Sequence, residues 1–480
     1  MREEDFFRIF KTDIHAMEHA VATAMSGGGD WCDLYFEYSV YNDLMLRDGE
    51  VNSGGYHEDF GVGIRVLDGE KTGYAYSEST GKAEMEAAAK AAAAIALRSG
   101  RHDVPPFRVP GADTSCTSHA PHRDLYPVGR TWDMTDHSGF LPILQKIDAS
   151  VRQKDSRVVK VMIRLSDCQS HIMMFNSTGE LAFDSRPLCS LTVTAIFSQG
   201  GRTENSTASW SMRCGAEMIS DELAEQLAAE VTDSIDARFD ARRPKGGEMP
   251  VVMAAGASGI LLHEAMGHAF EADFNRKGQS VFSGRIGEKI CSSGISIVDD
   301  GTIAGNRGAC NYDDEGIAGQ KTYMVRDGVL SSYLHDRISA ASYGVSPTGN
   351  GRRESFRFNP IPRMRATYME NGDAHPEDII ASVRKGIYVD EFSNGQVKIG
   401  EGDFTFYVKS GFMIENGRLT APVKDINVIG NGPEALGRIT AVGNDLKIDN
   451  GTWTCGKEQN VPVSIGIPTV LVSSLVVGGE

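Results

Sequence analysis

Six residues, His263-Glu264-Ala265-Met266-Gly267-His268, restrict what this chain can fold into more than any other stretch. They follow Gly256-Ala257-Ser258-Gly259-Ile260-Leu261-Leu262, which reads as the start of a buried helix, so two imidazoles and a carboxylate are carried into expected core. In the familiar zinc-peptidase helix, H-E-x-x-H, the histidines are four residues apart and share one face. Here they are five apart. On a regular helix of ~3.6 residues per turn that turns the second side chain roughly 140° from the first, too far for both to reach one ion. Two readings follow. The helix is irregular, with Gly267 permitting an extra-residue bulge or a helix end at Met266-Gly267, or it carries one core histidine and one surface histidine.

A zinc site that does chemistry usually has three protein ligands and an open position. Candidates for the third are Glu271, Asp273, Cys291, Cys310, the run Asp313-Asp314-Glu315, and Cys455 in Trp453-Thr454-Cys455-Gly456-Lys457. Glu271 is close in sequence but also reads as an ordinary carboxylate of the next turn. Cys455 ranks slightly ahead, because a small buried hydrophobe is less expected in a turn-like stretch. A thiol that only packs there fits as well. The eight cysteines include no CxxC pair and suit reduced thiols better than a disulfide framework.

The rest of the chain predicts an α+β protein with its main boundary at Arg242-Arg243-Pro244-Lys245-Gly246-Gly247, dividing residues 1–243 from 244–480. In the first part, an amphipathic helix over 5–26, a hairpin at Asp68-Gly69, an alanine-rich helix over 82–99 and a later meander suggest antiparallel sheet with helices on one side. Residues 101–131, rich in proline, read as a surface connection, and His102, Cys116, His119 and His122 within it read as solvated. The second part is dense in hairpin signals such as Asp300-Gly301, Asp327-Gly328 and Asn416-Gly417, which point to a β-barrel or sandwich holding the one confident helix. A formal charge of −17 argues against nucleic acid and anionic membranes as main partners. No apolar run approaches the ~20 residues of a membrane span. The acidic start, Met1-Arg2-Glu3-Glu4-Asp5, is unlike a secretory signal, and a cytoplasmic location is expected.

Several separate segments, in order, carry a resemblance: Gly256 to Arg276, Asp313-Asp314-Glu315-Gly316, Pro347-Thr348-Gly349-Asn350-Gly351-Arg352, Pro422-Val423-Lys424 and Thr454-Cys455-Gly456-Lys457. Together they resemble the TldD/PmbA family of metallopeptidases, strongly over the second half and in layout over the first. The resemblance implies an N-terminal α/β domain followed by a β-barrel-like domain. TldD-type members carry H-E-x-x-x-H, whereas PmbA (TldE) members lack it and act as partners, so it implies the catalytic type. It further implies Zn2+ bound by His263, His268 and Cys455, with Glu264 as general base toward a zinc-activated water. The implied substrates are unfolded or short extended peptides and peptide natural-product precursors. The implied assembly is a homodimer or a heterodimer with a PmbA (TldE)-like subunit. The alternative is a non-hydrolytic peptide-binding or regulatory subunit of such a heterodimer. The family's historical label as a modulator of DNA gyrase would suggest nucleic-acid action, against which the charge speaks. The loop Pro347 to Arg353 reads either as a mobile basic segment that meets a peptide carboxylate or partner, or as a solvated turn. His335 and Tyr343 could polarise a carbonyl, but sequence does not place them.

Overall fold

In the computed structural model residues 2–97, 118–121, 123–398 and 400–479 are described; His102, Cys116 and His122 of the proline-rich connection lie outside them. The first half is built on one twisted sheet. Its long strands run in the order Lys71–Ser77, Glu50–Asp68, Trp31–Arg47, Val158–Asn176, Glu180–Gln199 and Arg202–Met212, all antiparallel, and Ser118–His119 adds a short parallel pairing. Alternating burial along Glu180–Gln199 shows why the period-2 pattern forms strand: every second side chain enters the core. The expected helix over 5–26 is two helices, Glu3–Phe10 and Ile14–Met25. Lys11 adopts left-handed backbone and the Asp13 carboxylate accepts the Ala16 N–H, so a cap inside the apolar pattern overrides its continuity. The alanine stripe of Lys82–Leu97 is close-packed core, as its composition suggests. A Cβ on Gly73 of the facing strand would lie 1.9 Å from the Ala92 carbonyl oxygen.

In the second half five strands close on themselves. Lys385–Lys398 pairs with Gly247–Met253, which pairs with Val470–Gly478, then Ile426–Asn431, then Asp403–Glu415, which returns to Lys385–Lys398. Closure removes the open edges that a sheet this apolar would otherwise present. Asp327-Gly328 and Asn416-Gly417 turn hairpins with left-handed backbone at both positions, as their residue types require. Asp300-Gly301 does not turn a hairpin: Gly301 has no positive φ, and it lies against the Arg365 side chain. A six-stranded sheet packs beside the barrel, with Ala366–Met369 and Ser464–Ile467 parallel at its centre. Leu261, Leu262, Ala265, Met266 and Phe270 of the central helix share one core with barrel residues Val251, Ile387, Phe404, Phe406 and Val472. The helix therefore has no room to shift, and whatever side chains it presents are fixed in place.

The halves meet over a mixed surface. Tyr35, Ile172, Met174 and Ala182 of the first sheet pack with Tyr312 and Phe356 of the second half. Around them Arg65 bridges Asp33 and Glu315 at 2.6 and 2.7 Å, and Arg186 reaches Asp314 at 2.5 Å.

Candidate metal centre

The helix that carries the motif changes its winding within a few residues. Ile260–Leu262 is α-helical, His263–Gly267 is a single π turn in which the His268 N–H donates to the His263 carbonyl, and His268–Phe270 tightens into a 3-10 turn. The π turn inserts the extra residue that five-residue spacing demands. Both imidazoles are thereby brought to one side, with ring centroids 5.1 Å apart and planes at 80°. The irregular helix is thus the reading that holds, and both histidines are buried, at 1% and 5% exposure. Gly267 acts differently from the sequence expectation. Its φ of −56° and ψ of −48° are ordinary helical values, so no permissive backbone is used. A Cβ there would stand 2.1 Å from the Met364 sulfur, so close packing is what excludes larger residues.

Cys455 arrives from the far end of the chain. It lies in a two-stranded hairpin, Thr454–Cys455 against Val461–Pro462, pinned by Arg363, which donates to the Cys455 carbonyl at 2.7 Å and to the Gln459 carbonyl at 2.8 Å. The thiol is 2% exposed and sits 3.4 Å from His268 Nε2. One ligand-capable atom each from His263, His268 and Cys455 lie within 4.8 Å of one another. Burial alone would raise the Cys455 thiol, but His263 and His268 outweigh it and hold it well below the ordinary thiol range. Glu264 is half-buried on the same turn and makes no hydrogen bond or ion pair among the described residues.

Glu271 occupies a different place from the ligand position considered for it. Its Oε2 lies 2.9 Å from His268 Nδ1, the ring nitrogen opposite the one that meets Cys455, and 3.0 Å from Lys457 Nζ. Burial would raise this carboxyl, but Lys457 and then His268 overcome it and hold it well below the usual range. Asp273 is taken up by Lys457 at 2.8 Å. Cys291 packs in the barrel core, and Asp314 and Glu315 are bound by arginines at the junction of the halves. Lys457 and Arg363 escaped sequence reasoning. The one available signal was alternation in Cys455-Gly456-Lys457, which puts Cys455 and Lys457 on the same side of an extended segment. His335 follows Leu334, whose backbone pairs with Phe270 and Ala272, and its Nδ1 is 3.3 Å from Ser339 Oγ. Arg352 and Arg353 are 4% exposed, so the segment is not a solvated turn.

Profiles described as PmbA/TldA metallopeptidase domain 1, central domain and C-terminal domain match residues 32–96, 136–238 and 246–479. A protein named "Metalloprotease TldD homolog" from Haemophilus influenzae is 37% identical over 457 residues, which is 94% of this chain and 93% of that protein. The chain belongs to the PmbA/TldD metallopeptidase family. Among other PmbA/TldD relatives, a protein named "Zinc metalloprotease TldD homolog" from Saccharolobus solfataricus is 33% identical over 53% of this chain and 57% of its own length. The fold is that of a solved PmbA/TldD structure, TldE from Thermococcus kodakarensis, with a TM-score of 0.74 and 18% identity over 97% of this chain and all of that one. Among the described residues no helix is long and apolar enough to cross a membrane.

Proposed function

We propose that this chain is a zinc-dependent peptidase, with His263, His268 and Cys455 as the metal ligands and Glu264 as the general base. The observation that carries this is His263: the residue is 1% exposed, yet among the described residues neither Nδ1 nor Nε2 has a hydrogen-bond partner. A buried polar atom left unpaired costs about 1–3 kcal/mol, and one beside a thiol and a second imidazole invites a cation. Zinc ligands about 2.0–2.3 Å from the ion stand a little over 3 Å apart, and the 3.4 Å between Cys455 Sγ and His268 Nε2 fits that spacing. A two-histidine, one-thiolate set also suits zinc better than magnesium or calcium, which prefer oxygen.

When bound there, zinc would act as a Lewis acid on the scissile carbonyl and make a water more acidic. The chain does the rest. Glu264 would take the proton of the attacking water and return it to the leaving amine. Glu271 would hold His268 in the tautomer that leaves Nε2 free, and Lys457 would keep Glu271 ionised. A peptide would lie extended, and the edge strand Lys447–Asp449 of the six-stranded sheet would offer main-chain groups for one. Unfolded or short peptides meet that demand because their backbone is already free. We further propose a dimer, with itself or with a PmbA (TldE)-like subunit, and a cytoplasmic setting for the unpaired thiols.

The decisive experiment is to strip the purified chain of metal, add one equivalent of zinc, and follow cleavage of an unfolded polypeptide with and without a PmbA-type partner. Zinc-dependent cleavage is expected. Peptide binding without cleavage in every arm would favour the non-hydrolytic subunit instead. A finer test is Glu271→Gln, which should weaken zinc binding by roughly 10–100-fold, the usual cost of losing a group that orients a ligand. Competition with a chromogenic chelator measures it, and unchanged affinity would remove Glu271 from the centre.

A further inference from the structure

A cavity of about 280 Å³ lies between the two halves, walled by the first sheet on one side and by the segments around residues 352–365 and 460–462 on the other. Water needs roughly 10–15 Å³ of such space, so the cavity has room for a small organic molecule. Its lining is unusual in charge. Five guanidinium groups, from Arg186, Arg213, Arg352, Arg353 and Arg365, face three carboxylates, Glu37, Asp314 and Glu354.

The carboxylates are already engaged. Asp314 accepts from Arg186 at 2.5 Å and from the Arg353 N–H at 2.8 Å, Glu37 accepts from Ser39 and from the Phe356 N–H at 2.7 Å each, and Glu354 accepts the Asn460 N–H at 2.7 Å. Arg213, Arg352 and Arg365 form no ion pair among the described residues, although they are 7%, 4% and 4% exposed. Arg352 donates only to the carbonyls of Met364 and Pro462, Arg365 to that of Gly349, and Arg213 to that of Pro187 at a long 3.3 Å. Among the described residues the Arg213 Nε has no hydrogen-bond partner, and the guanidinium stands over the Tyr126 ring at 5.5 Å. A guanidinium does not shed its proton to escape burial, and although Asp184, Asp299, Asp313 and Asp314 act on these arginines, none forms an ion pair with them, so the space favours an anion.

We infer that this cavity binds a small organic oxyanion carrying at least two negative charges, held by Arg213, Arg352 and Arg365. The planar forks of these side chains match the oxygens of a carboxylate or a phosphate. Val461 and Pro462 line the cavity while Cys455 pairs with Val461, so an occupant would brace the hairpin that carries Cys455 from its other side. This site stands on the charge inventory and is independent of the metal reading.

Thermal unfolding and calorimetric titration of the full chain test it, with succinate as the carboxylate probe, glycerol 2-phosphate as the phosphate probe, and chloride at matched ionic strength as control. At least one probe should bind saturably and raise the melting temperature by several degrees beyond chloride. Arg352→Gln should weaken that binding about tenfold or more, the equivalent of one charge-assisted hydrogen bond. Leu188 provides a check that survives if Arg352→Gln fails to fold, because its half-buried side chain is on the cavity wall. Leu188→Glu should melt above Leu188→Gln and no longer respond to the probe, since it supplies the missing charge from within. The inference is overturned if neither probe exceeds chloride, if Arg352→Gln binds as tightly as wild type, or if Leu188→Glu melts below Leu188→Gln.

Discussion

Glu264→Gln is expected to lower kcat for peptide cleavage by roughly 10²–10⁴-fold, the usual contribution of a positioned acid–base group, with zinc content unchanged. The expectation rests on where the side chain stands. Glu264 follows His263 on the π turn and has no hydrogen bond or ion pair among the described residues, so exchanging a carboxylate for an isosteric amide breaks none of their contacts. The amide cannot accept a proton, and the loss should therefore fall on kcat, with the melting temperature within a degree or two of wild type. Cleavage assays paired with elemental analysis separate the outcomes. Wild-type turnover would exclude Glu264 as the base. Loss of zinc together with activity would make it a ligand instead.

The histidine spacing was informative in the sequence because helix geometry permits few solutions. A spacing of five between two convergent side chains requires one inserted residue, and the π turn supplies it. The hairpins at Asp327-Gly328 and Asn416-Gly417 were legible for the same reason: few residue types tolerate left-handed backbone. What escaped is what depends on distant segments. Glu271 looks like a ligand when only its nearness to His268 in sequence is visible, whereas in the fold its carboxylate is taken up by His268 Nδ1 and by Lys457, 186 residues later. Arg352 and Arg353 look like a solvated loop because charged residues are normally exposed, and their burial depends on carbonyls and carboxylates from both halves. The break after Phe10 was missed because the apolar pattern continues across it, while a single capping aspartate decided the backbone.

Cys455→Ala is expected to abolish the stabilisation that zinc confers, and so to cost more stability with zinc than without it. Zinc at about 1,000 times its dissociation constant should stabilise the wild type by roughly 4 kcal/mol, visible as a clear rise in melting temperature. Removing a direct ligand should weaken zinc binding by more than the roughly 10–100-fold of an outer-shell change, so in Cys455→Ala that rise should nearly vanish at the same zinc concentration. The comparison without metal decides what kind of residue Cys455 is. A thiol that only packs against Val461 and Val463 would cost the same stability with or without zinc, because its contacts are apolar and unaffected by the ion. A ligand would cost more stability when zinc is present. In the metal-free state its loss removes the apolar contacts and the 3.4 Å contact with His268, a cost that wild type and variant compared without zinc reveal, and with zinc the ligand bond is lost in addition. Melting curves of both proteins, each with chelator and with excess zinc, therefore assign the thiol by the difference between two differences. Equal losses in the two conditions would return Cys455 to the core.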